Sequence, residues 1–551
     1  MKHTYSFRVL SCFIFLFFLS CIRFDGNERE KIFTYNESSN ITSLDPAYAR
    51  SLANIMAVNQ IFNGLVELDN DLNIKPCIAK LWTISDDGKL YIFILRDDVY
   101  FHENEIFTET RNVVSSDFVY SFNRILNPKV ASPGTWVFQN IAINEETGEK
   151  YIFAVDDTTL VIKLENPFPP FLGLLSMQYC SVVYPEAVEH YGSNFRNNPI
   201  GTGPFRFKYW KENVKLVLLK NEDYFEFDTL GDRLPYLDAI NITFIVDKQT
   251  AFMNFLKGNI DFISGIDATC KDALLDKRGN LREQFHSTVI IKTEPYLNTE
   301  YLGFLLDSTK EGFKHDVLSD IRIRQAINYC FDRKKMIQHL RNNIGIPGIY
   351  GFVPLNMPGF TDFHVKGYDY NPQKSRELLK QAGYPNGDGL ADIILTTTPA
   401  YVDLCQYIQH EASKVGITIK IDVTQPATLR EMNANSRVPF FRASWIADYP
   451  DAENYLSLFY SENLAPLGPN YTQFKDKYYD EIFRKAIKTT DDSERYALYK
   501  KLDSIAMSKS PVIVLYYDQV LRFIRKGITG LESNPMNILC LKRVDKILNG
   551  E

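Results

Sequence analysis

Residues 239–263 read AINITFIVDKQTAFMNFLKGNIDFI. The first eight positions alternate between core-type and other side chains, which is the period of a strand with one buried face. Residues 249–257 then place four apolar side chains on one side of a helix, and Gly258 is positioned to end it. Residues 260–263 form the next strand. The segment therefore predicts a β–α–β unit with parallel strands and a right-handed crossover.

A second β–α–β unit is predicted further along the chain. Residues 393–397 have strand character, apolar side chains recur at helical spacing through residues 401–415, and Gly416 ends that helix before a returning strand at 417–423. Because the two units lie far apart in sequence, we expect them in two α/β lobes rather than in one sheet.

The region between residues 65 and 198 has a different pattern of predicted strands and helices. Strands are predicted over residues 90–95 and 151–164, and a helix is predicted to run from a cap at Ser116 and Asp117 through Ile125. This alternation predicts a smaller α+β domain inserted into the chain. Beyond it, a long helical stretch is predicted over residues 320–342.

Composition limits the class of protein. The chain has 551 residues, of which 45% are apolar and 23% charged, as expected of a globular protein with three or four domain-sized lobes. The formal net charge is −7 and there is no long run of Lys and Arg. Because nucleic-acid binding needs a basic patch or stripe, we do not expect a nucleic-acid partner.

The N-terminus carries the pattern of an export signal. Residues 1–21 are predicted to be a lipoprotein signal peptide, because basic residues precede an apolar run at 9–19 that is too short to span a bilayer. Residues 18–21, FLSC, resemble a bacterial lipobox, with cleavage before Cys21 and a lipid on its sulfur. An ordinary signal peptide with an incidental Cys21 is the alternative. Lipidation would anchor a soluble body to a membrane.

The common catalytic and cofactor motifs are absent from the sequence. It has no G-x-x-x-x-G-K-[ST], no G-x-S-x-G and no H-E-x-x-H, and its cysteines show no C-x-x-C. His102 stands alone and is interpreted as structural. We therefore predict no metal, no cofactor and no enzymatic activity. A Ser/His/Asp triad leaves no mark on spacing, so a secreted hydrolase stays open as an alternative.

Seven segments, in order across residues 35–540, carry a resemblance to a known family. They are SLDP (43–46), IFNGL (61–65), AKLWTISDDGKLYIFILRDDVYF (79–101), PIGTGPF (199–205), DIRIRQAINYCFD (320–332), NPQKSRELLKQAG (371–383) and RASWIADYPD (442–451). Together, behind a lipobox, they resemble the extracytoplasmic solute-binding proteins of peptide ABC importers, the oligopeptide-binding family.

The resemblance implies an α/β, two-lobed periplasmic-binding-protein-like fold (type II, Venus-flytrap) with a third, inserted α+β domain. The implied domains follow the signal peptide: lobe I at 22–64, 199–298 and 515–551, inserted domain II at 65–198, and lobe III at 299–514.

The resemblance also implies which residues hold a peptide. Asp448 matches an Asp that pairs with the ligand ammonium, because an unpaired charge in a closed cleft is costly. Helix capping is the alternative for Asp448, although Asp451 lies nearer the helix start. Arg442 matches an Arg that can pair with a peptide carboxylate, and Trp445 could either wall a side-chain pocket or pack in the core.

Two further tracts match the family. Tyr516 and Tyr517 lie where members carry a Tyr pair near the hinge. Asn40, Ile41 and Thr42 precede the SLDP segment, where members offer extended backbone to the ligand by β-augmentation. Ile446 stands where some members have Cys, which implies that their local disulfide cannot form and that Cys270 is free.

The implied protein is a monomeric, lipid-anchored receptor of the periplasm or cell envelope. It would close over an oligopeptide by hinge motion and deliver it to the permease and ATPase subunits of an ABC importer. Asp448 and Arg442 together favour a zwitterionic ligand. Alternatives are another solute in the same fold (nickel, haem or an oligosaccharide) and a surface adhesin on a transporter scaffold.

Overall fold

The computed structural model describes residues 30–107, 110–265, 273–276, 278–307, 317–363 and 365–547. The predicted signal peptide, the lipid on Cys21 and the free state of Cys270 lie outside these ranges. Within them, no helix combines the length and the apolar character that crossing a bilayer requires.

Twenty-one strands occur in the described ranges. They are β1 Ile32–Asn36, β2 Val66–Leu68, β3 Ile74–Pro76, β4 Ala79–Ile84, β5 Leu90–Leu95, β6 Ile152–Asp156, β7 Thr159–Lys163, β8 Phe205–Lys211, β9 Lys215–Lys220, β10 Ala239–Thr243, β11 Phe262–Ser264, β12 Val289–Phe304, β13 Ile346–Pro347, β14 Ile393–Thr397, β15 Ile419–Val423, β16 Phe440–Ile446, β17 Val512–Arg525, β18 Ile528–Thr529, β19 Glu532–Ser533, β20 Leu539–Cys540 and β21 Asp545–Lys546.

The α-helices in the same ranges vary from one turn to five. They are α1 Leu52–Ile61, α2 Ser115–Leu126, α3 Phe171–Leu175, α4 Pro185–Tyr191, α5 Lys248–Lys257, α6 Ile321–Tyr329, α7 Arg333–Leu340, α8 Pro372–Gln381, α9 Val402–Ser413, α10 Pro426–Ala434, α11 Glu453–Leu456, α12 Lys477–Ala486 and α13 Asp492–Lys509.

One mixed sheet runs through both α/β lobes, in the order β15-β14-β16-β12-β17-β11-β1-β10-β9-β8. Both predicted β–α–β units are present, one in each half of this sheet. The expectation that they belong to separate sheets is wrong, because the long strands β12 and β17 join the halves. In the first unit, β1 lies between β10 and β11 and is parallel to both. In the second, β14 and β15 pair directly in parallel.

The antiparallel strands β12 and β17 connect the two halves of the sheet. β12 has 16 residues and β17 has 14, and each is long enough to belong to both halves. Their register shifts between Pro295 and Thr299, where the partners change from Gln519 to Tyr517. Such an irregularity bends a strand pair locally. The proposed lobe boundaries near residues 298 and 515 fall beside this irregularity.

The region predicted as an inserted α+β domain has its own antiparallel sheet, β4-β5-β7-β6, separate from the large one. α2 packs on it through Phe118, Phe122 and Ile125, which are buried. The helix begins one residue before the predicted cap, at Ser115, and the Asp117 carboxylate accepts a 2.9 Å bond from the Val114 amide.

The helical stretch predicted over residues 320–342 consists of two helices. α6 ends at Tyr329 and α7 begins at Arg333. Between them, the Asp332 carboxylate accepts bonds from the amides of Lys334 and Lys335, at 2.9 and 3.1 Å. An N-cap of this strength starts a new helix inside a continuous periodic pattern.

Candidate functional site

The segment between β16 and α11 carries the predicted ammonium ligand. β16 ends at Ile446, after which the Ala447 amide donates to the Leu297 carbonyl of β12 at 3.0 Å. Asp448 is therefore the second residue beyond the strand end. This position places it just beyond the end of β16, beside the irregularity in β12.

Asn454 fixes the position of Asp448. Its Oδ1 accepts bonds from the Asp448 amide at 3.2 Å and from Trp445 Nε1 at 2.9 Å, while its Nδ2 donates to Asp448 Oδ2 at 3.4 Å. The Asp448 side chain is open to solvent and makes no ion pair within the described ranges. The surrounding protein nevertheless raises its pKa by partial desolvation, and the bond from Asn454 opposes that shift.

Helix capping is the role of Asp451 and not of Asp448. The buried Asp451 carboxylate accepts a 2.9 Å bond from the amide of Glu453, the first residue of α11. The capping alternative for Asp448 is therefore wrong. Within the described chain, the only hydrogen-bond donor to the Asp448 carboxylate is the side-chain amide of Asn454.

Arg442 has a carboxylate partner within the chain. Its Nη2 donates to Glu300 of β12, and its guanidinium lies over the Tyr401 ring at 3.3 Å from the centroid. Glu300 also accepts bonds from Asn298 Nδ2 at 3.2 Å and the Tyr401 hydroxyl at 3.4 Å. Burial raises the pKa of Glu300, and the positive charge of Arg442 opposes that shift. Arg442, which was predicted to bind the carboxylate of a peptide, is thus paired with Glu300 inside the protein.

The aromatic candidates are built into the protein. Trp445 is half-buried against the hydrophobic core that contains Phe441, in addition to its bond with Asn454. Tyr516 and Tyr517 are only 1% and 2% exposed. The Tyr516 hydroxyl accepts from Arg341 Nη1 at 2.9 Å, and the Tyr517 hydroxyl donates to the Gly351 carbonyl at 2.5 Å. In this conformation neither tyrosine presents a free hydroxyl to a ligand.

The tract from Asn40 to Thr42 offers backbone groups of two kinds. The Thr42 amide donates to Asn54 Oδ1 at 3.1 Å, and its carbonyl accepts from Arg196 at 2.7 Å, so both groups of Thr42 are engaged. The backbone groups of Asn40 and Ile41 make no hydrogen bond to the described part of the chain. Ile41 buries its side chain at 4% exposure.

Sequence reasoning missed the residues that link this segment to the inserted domain. The ring of Tyr449 packs against Trp136, with centroids 6.1 Å apart, and Pro450 lies against Gly173 of α3. Tyr449 is 5% exposed and belongs to the core shared by the first lobe and the inserted domain. No local pattern signals such a contact, because its partners are more than 250 residues apart.

A cavity of about 530 Å³ opens beside this contact. The inserted domain contributes Tyr91 and Pro170 to its walls, and the later part of the chain contributes Pro450 and Arg495. The two regions therefore approach each other around residues 449–451 and leave space between them. Concave, mainly apolar spaces between lobes are where small ligands bind in proteins of many folds.

Two other polar sites have structural explanations. Glu67, Cys77 and Glu226 lie close enough to hold a cation, but Lys542 Nζ occupies that position, at 2.9 Å from Glu67 and 2.7 Å from Glu226. His102 is buried, its Nε2 is 2.9 Å from the Gly203 carbonyl, and burial lowers its pKa to about 4. The structural interpretation of His102 is confirmed.

Comparison with known proteins decides the family. The profile described as bacterial extracellular solute-binding proteins, family 5 (middle region) matches residues 73–465, which is most of the chain. The chain belongs to family 5 of the bacterial extracellular solute-binding proteins. The two-lobed α/β fold predicted from the resemblance is thereby confirmed.

Relatives of this family 5 protein are named for different ligands or were solved in complex with them. The glutathione-binding protein GsiB of Shigella dysenteriae is 28% identical over 503 residues, covering 90% of this chain and 91% of GsiB. The solved periplasmic binding protein DppA of Helicobacter pylori, in complex with the peptide STSA, is 25% identical with a TM-score of 0.74 and covers 94% of this chain and 99% of DppA. NikZ of Campylobacter jejuni, in complex with Ni(L-His), shares the fold at 24% identity and a TM-score of 0.71, covering 92% of this chain and 97% of NikZ.

Membership of family 5 establishes the general role. The protein is an extracytoplasmic solute-binding receptor of the kind that serves ABC importers. The names of these relatives include a peptide, glutathione and a nickel complex, so the identity of the ligand has to be argued from the site.

Proposed function

We propose that this family 5 protein is a lipid-anchored receptor that binds oligopeptides between its two lobes. The closed, loaded form is delivered to the permease of an ABC importer, whose ATPase subunits supply the energy. A ligand that bridges the lobes binds the closed form better than the open one and so shifts the population toward closure.

The single observation that carries the proposal is the state of Asp448. Its carboxylate is held by Asn454 and lacks an ion-pair partner among the described residues. A partly desolvated carboxylate is stabilised by a cation, and the α-ammonium of a peptide provides one. The raised pKa of Asp448 agrees with a group that lacks such a partner.

The backbone at Asn40 and Ile41 supports a peptide in particular. Its amide and carbonyl groups make no bond to the described chain, so they are open to pairing with the main chain of an extended ligand. Main-chain pairing does not depend on side chains and therefore suits a receptor for many sequences. We propose that Asp448, Arg442, Trp445, Tyr516, Tyr517, Asn40, Ile41 and Thr42 form or shape the site.

Glutathione is the second candidate ligand, because GsiB is named for it and covers nearly the whole chain. Glutathione carries one ammonium and two carboxylates, so it would also satisfy Asp448. An ordinary oligopeptide has a single terminal carboxylate. Glutathione has a second one, which would need at least one cationic partner in the site.

Mass spectrometry of small molecules released from the purified, denatured protein tests the proposal. Co-purifying peptides of mixed sequence support it. Glutathione alone would replace it with the second candidate, and a metal complex, haem or an oligosaccharide would contradict it. The anchor is tested separately with Cys21→Ser, which we expect to move the protein from the membrane fraction to the soluble one without changing the released molecules.

A further inference from the structure

We propose that Leu72 is a latch that holds the inserted domain against the later part of the chain when no ligand is bound. Opening the cleft withdraws Leu72, so this residue sets how fast a ligand enters and leaves, whatever the ligand is. The inference rests on the hinge closure of the proposed function and adds a residue that controls it. Leu72 lies at the tip of the β2–β3 hairpin, in the sequence DNDLN (69–73).

The β2–β3 hairpin reaches from one hydrophobic core into another. Its base belongs to the core shared by the first lobe and the inserted domain, where Val66, Cys77 and Ile78 are buried. Its tip belongs to a second core, because Leu72 is 2% exposed and clusters with buried side chains from residues 297–517. Among the described residues, Leu72 is the only fully buried member of this second core that precedes residue 297. The hairpin tip therefore joins two bodies that move apart in the proposed opening.

The turn presents Leu72 in an uncommon backbone conformation. The φ of Leu72 is +65°, in the left-handed region that leucine rarely adopts. Asp69 shapes the turn, because its Oδ1 accepts bonds from the amides of Asp71 at 3.0 Å and Asn73 at 2.8 Å. Asp71 and Asn73 remain exposed, so the turn buries its one apolar side chain alone. Backbone strain of this kind persists where the surroundings enforce it, and it clusters at switch regions.

The space around the Leu72 side chain is only partly filled. Leu72 lines the cavity of about 530 Å³ together with Pro358 and Tyr496, which belong to the later part of the chain. Because space remains beside its side chain, Leu72 can withdraw without unpacking the rest of the second core. A fully interlocked side chain would resist such a movement, since protein interiors are packed as densely as organic crystals.

The other contacts across this cavity involve glycines, apart from the ring contact described above. Gly173 lies against Pro450. Gly88 lies so close to Thr490 that an added Cβ would be 2.9 Å from the Cγ2 of that threonine. Neither glycine contributes a side chain. Leu72 is therefore the aliphatic side chain that the hairpin commits to the closed form.

The exposure of a buried leucine is unfavourable enough to set the equilibrium between the closed and open forms. Transfer of a leucine side chain into a core favours the closed form at least about 10-fold. Loss of this side chain therefore shifts the ligand-free population toward the open form. A ligand then enters faster, because more receptors are open, and it leaves faster, because opening is easier. A residue that only touches the ligand changes mainly the dissociation rate.

Leu72→Asn tests the latch in the purified protein after bound small molecules have been removed. Asparagine tolerates a left-handed φ, so the turn is kept while the apolar side chain is lost. Small-angle X-ray scattering without ligand should show a larger radius of gyration than for the wild type. Stopped-flow fluorescence with an alanine tetrapeptide should show dissociation at least about 10-fold faster, with association also accelerated. Should Leu72→Asn fail to fold, Leu72→Gly, which accepts the same φ, takes its place with the same expectation.

Two further variants control for side-chain chemistry and for stability. Leu72→Met keeps a flexible apolar side chain and should behave as the wild type. Leu458→Ala removes a leucine that is 3% exposed in the same core and comes from the later part of the chain itself. It should lower the melting temperature by creating a cavity, while the ligand-free radius of gyration and both rates stay at their wild-type values.

The outcomes separate the latch from the proposed ligand. Scattering curves that superimpose for the wild type and Leu72→Asn would overturn the latch, as would equal opening in Leu458→Ala. Faster dissociation with an unchanged association rate would also overturn it, because Leu72 would then be a ligand contact. If no variant and no wild-type protein binds the tetrapeptide, the peptide-binding proposal fails, and the scattering comparison by itself decides whether Leu72 holds the closed form.

Discussion

The ring of Tyr449 lies against the ring of Trp136, with centroids 6.1 Å apart, and Tyr449 directly follows the proposed ammonium ligand Asp448. One short segment therefore carries both the proposed ligand residue and a contact between the inserted domain and the later part of the chain. Side chains of the segment and of α11 bind each other, because Asn454 donates to Asp448 and the Tyr449 hydroxyl donates to Glu453.

We expect Tyr449→Ala to shift the ligand-free protein toward the open form. The substitution removes the ring that packs on Trp136, and aromatic contacts of this kind contribute about 0.5–1.5 kcal/mol beyond the area they bury. Small-angle X-ray scattering should show a larger radius of gyration, and bound peptide should dissociate faster. Tyr449→Phe is the control that keeps the ring. Scattering curves that superimpose for wild type and Tyr449→Ala would refute the link.

Asp448→Asn should weaken the binding of free-amine peptides by at least about 30-fold, because it removes the negative charge and keeps the shape. Binding of N-acetylated peptides should be unaffected, which calorimetry can measure. Asp451→Asn is the matched control three residues away. It should lower stability through the weakened bond to the Glu453 amide while preserving the preference for free amines. Equal losses for both peptide forms in Asp448→Asn would remove Asp448 from this role.

Stability should fall as the pH rises through the titration range of Glu453. Burial raises the pKa of Glu453 to about 7, helped by Asp451 and opposed by the bond from Tyr449. An unfolded Glu titrates near 4.3, so between about pH 4.5 and 7 the folded state keeps a proton that the unfolded state has lost. The free energy of unfolding then decreases with pH, by roughly 4 kcal/mol at most from this group.

Glu453→Gln tests that pH dependence, because glutamine keeps an acceptor for Tyr449 and has no charge to titrate. Urea unfolding at pH 5 and pH 7.5 should show a smaller loss of stability in the variant than in the wild type. The difference should be on the order of 2 kcal/mol, since each unit of pKa shift corresponds to about 1.4 kcal/mol. Parallel losses in the two proteins would show that Glu453 does not titrate as described.

Lys542→Met should destabilise the protein strongly. Lys542 is 10% exposed and neutralises both Glu67 and Glu226, so its loss leaves two neighbouring carboxylates without a cation. Breaking a buried pair in this way costs about 3–5 kcal/mol. The control is Lys485→Met, which breaks an exposed pair with Glu494 and should cost less than about 1 kcal/mol. Similar melting temperatures for the two variants would contradict this.

Local rules predicted the local elements well. Gly258 ends its helix with φ of +84°, a left-handed conformation that glycine adopts without strain, and Asp451 binds the first amide of α11 as its position indicates. The periodic pattern alone did not show where one helix ends and the next one begins. A continuous helical period over residues 320–342 concealed the N-cap at Asp332 that starts α7.

Long-range relationships could not be predicted from spacing. β1 enters between β10 and β11 from about 200 residues away, and Glu300 reaches Arg442 across 142 positions of sequence. Such partners are selected by the register of the folded sheet. The family resemblance supplied the candidate residues of the site, but it gave no sign that Arg442 is paired internally.

We propose that the α-ammonium of a peptide binds Asp448 between the lobes. A crystal structure of the protein with a tetrapeptide tests this most directly. We predict that the ligand nitrogen lies about 2.7–2.9 Å from an Asp448 carboxylate oxygen, as in charge-assisted hydrogen bonds, with Glu300 still bound to Arg442. A peptide whose amino terminus lies elsewhere, or a cleft in which Asp448 faces away from the ligand, would contradict the account.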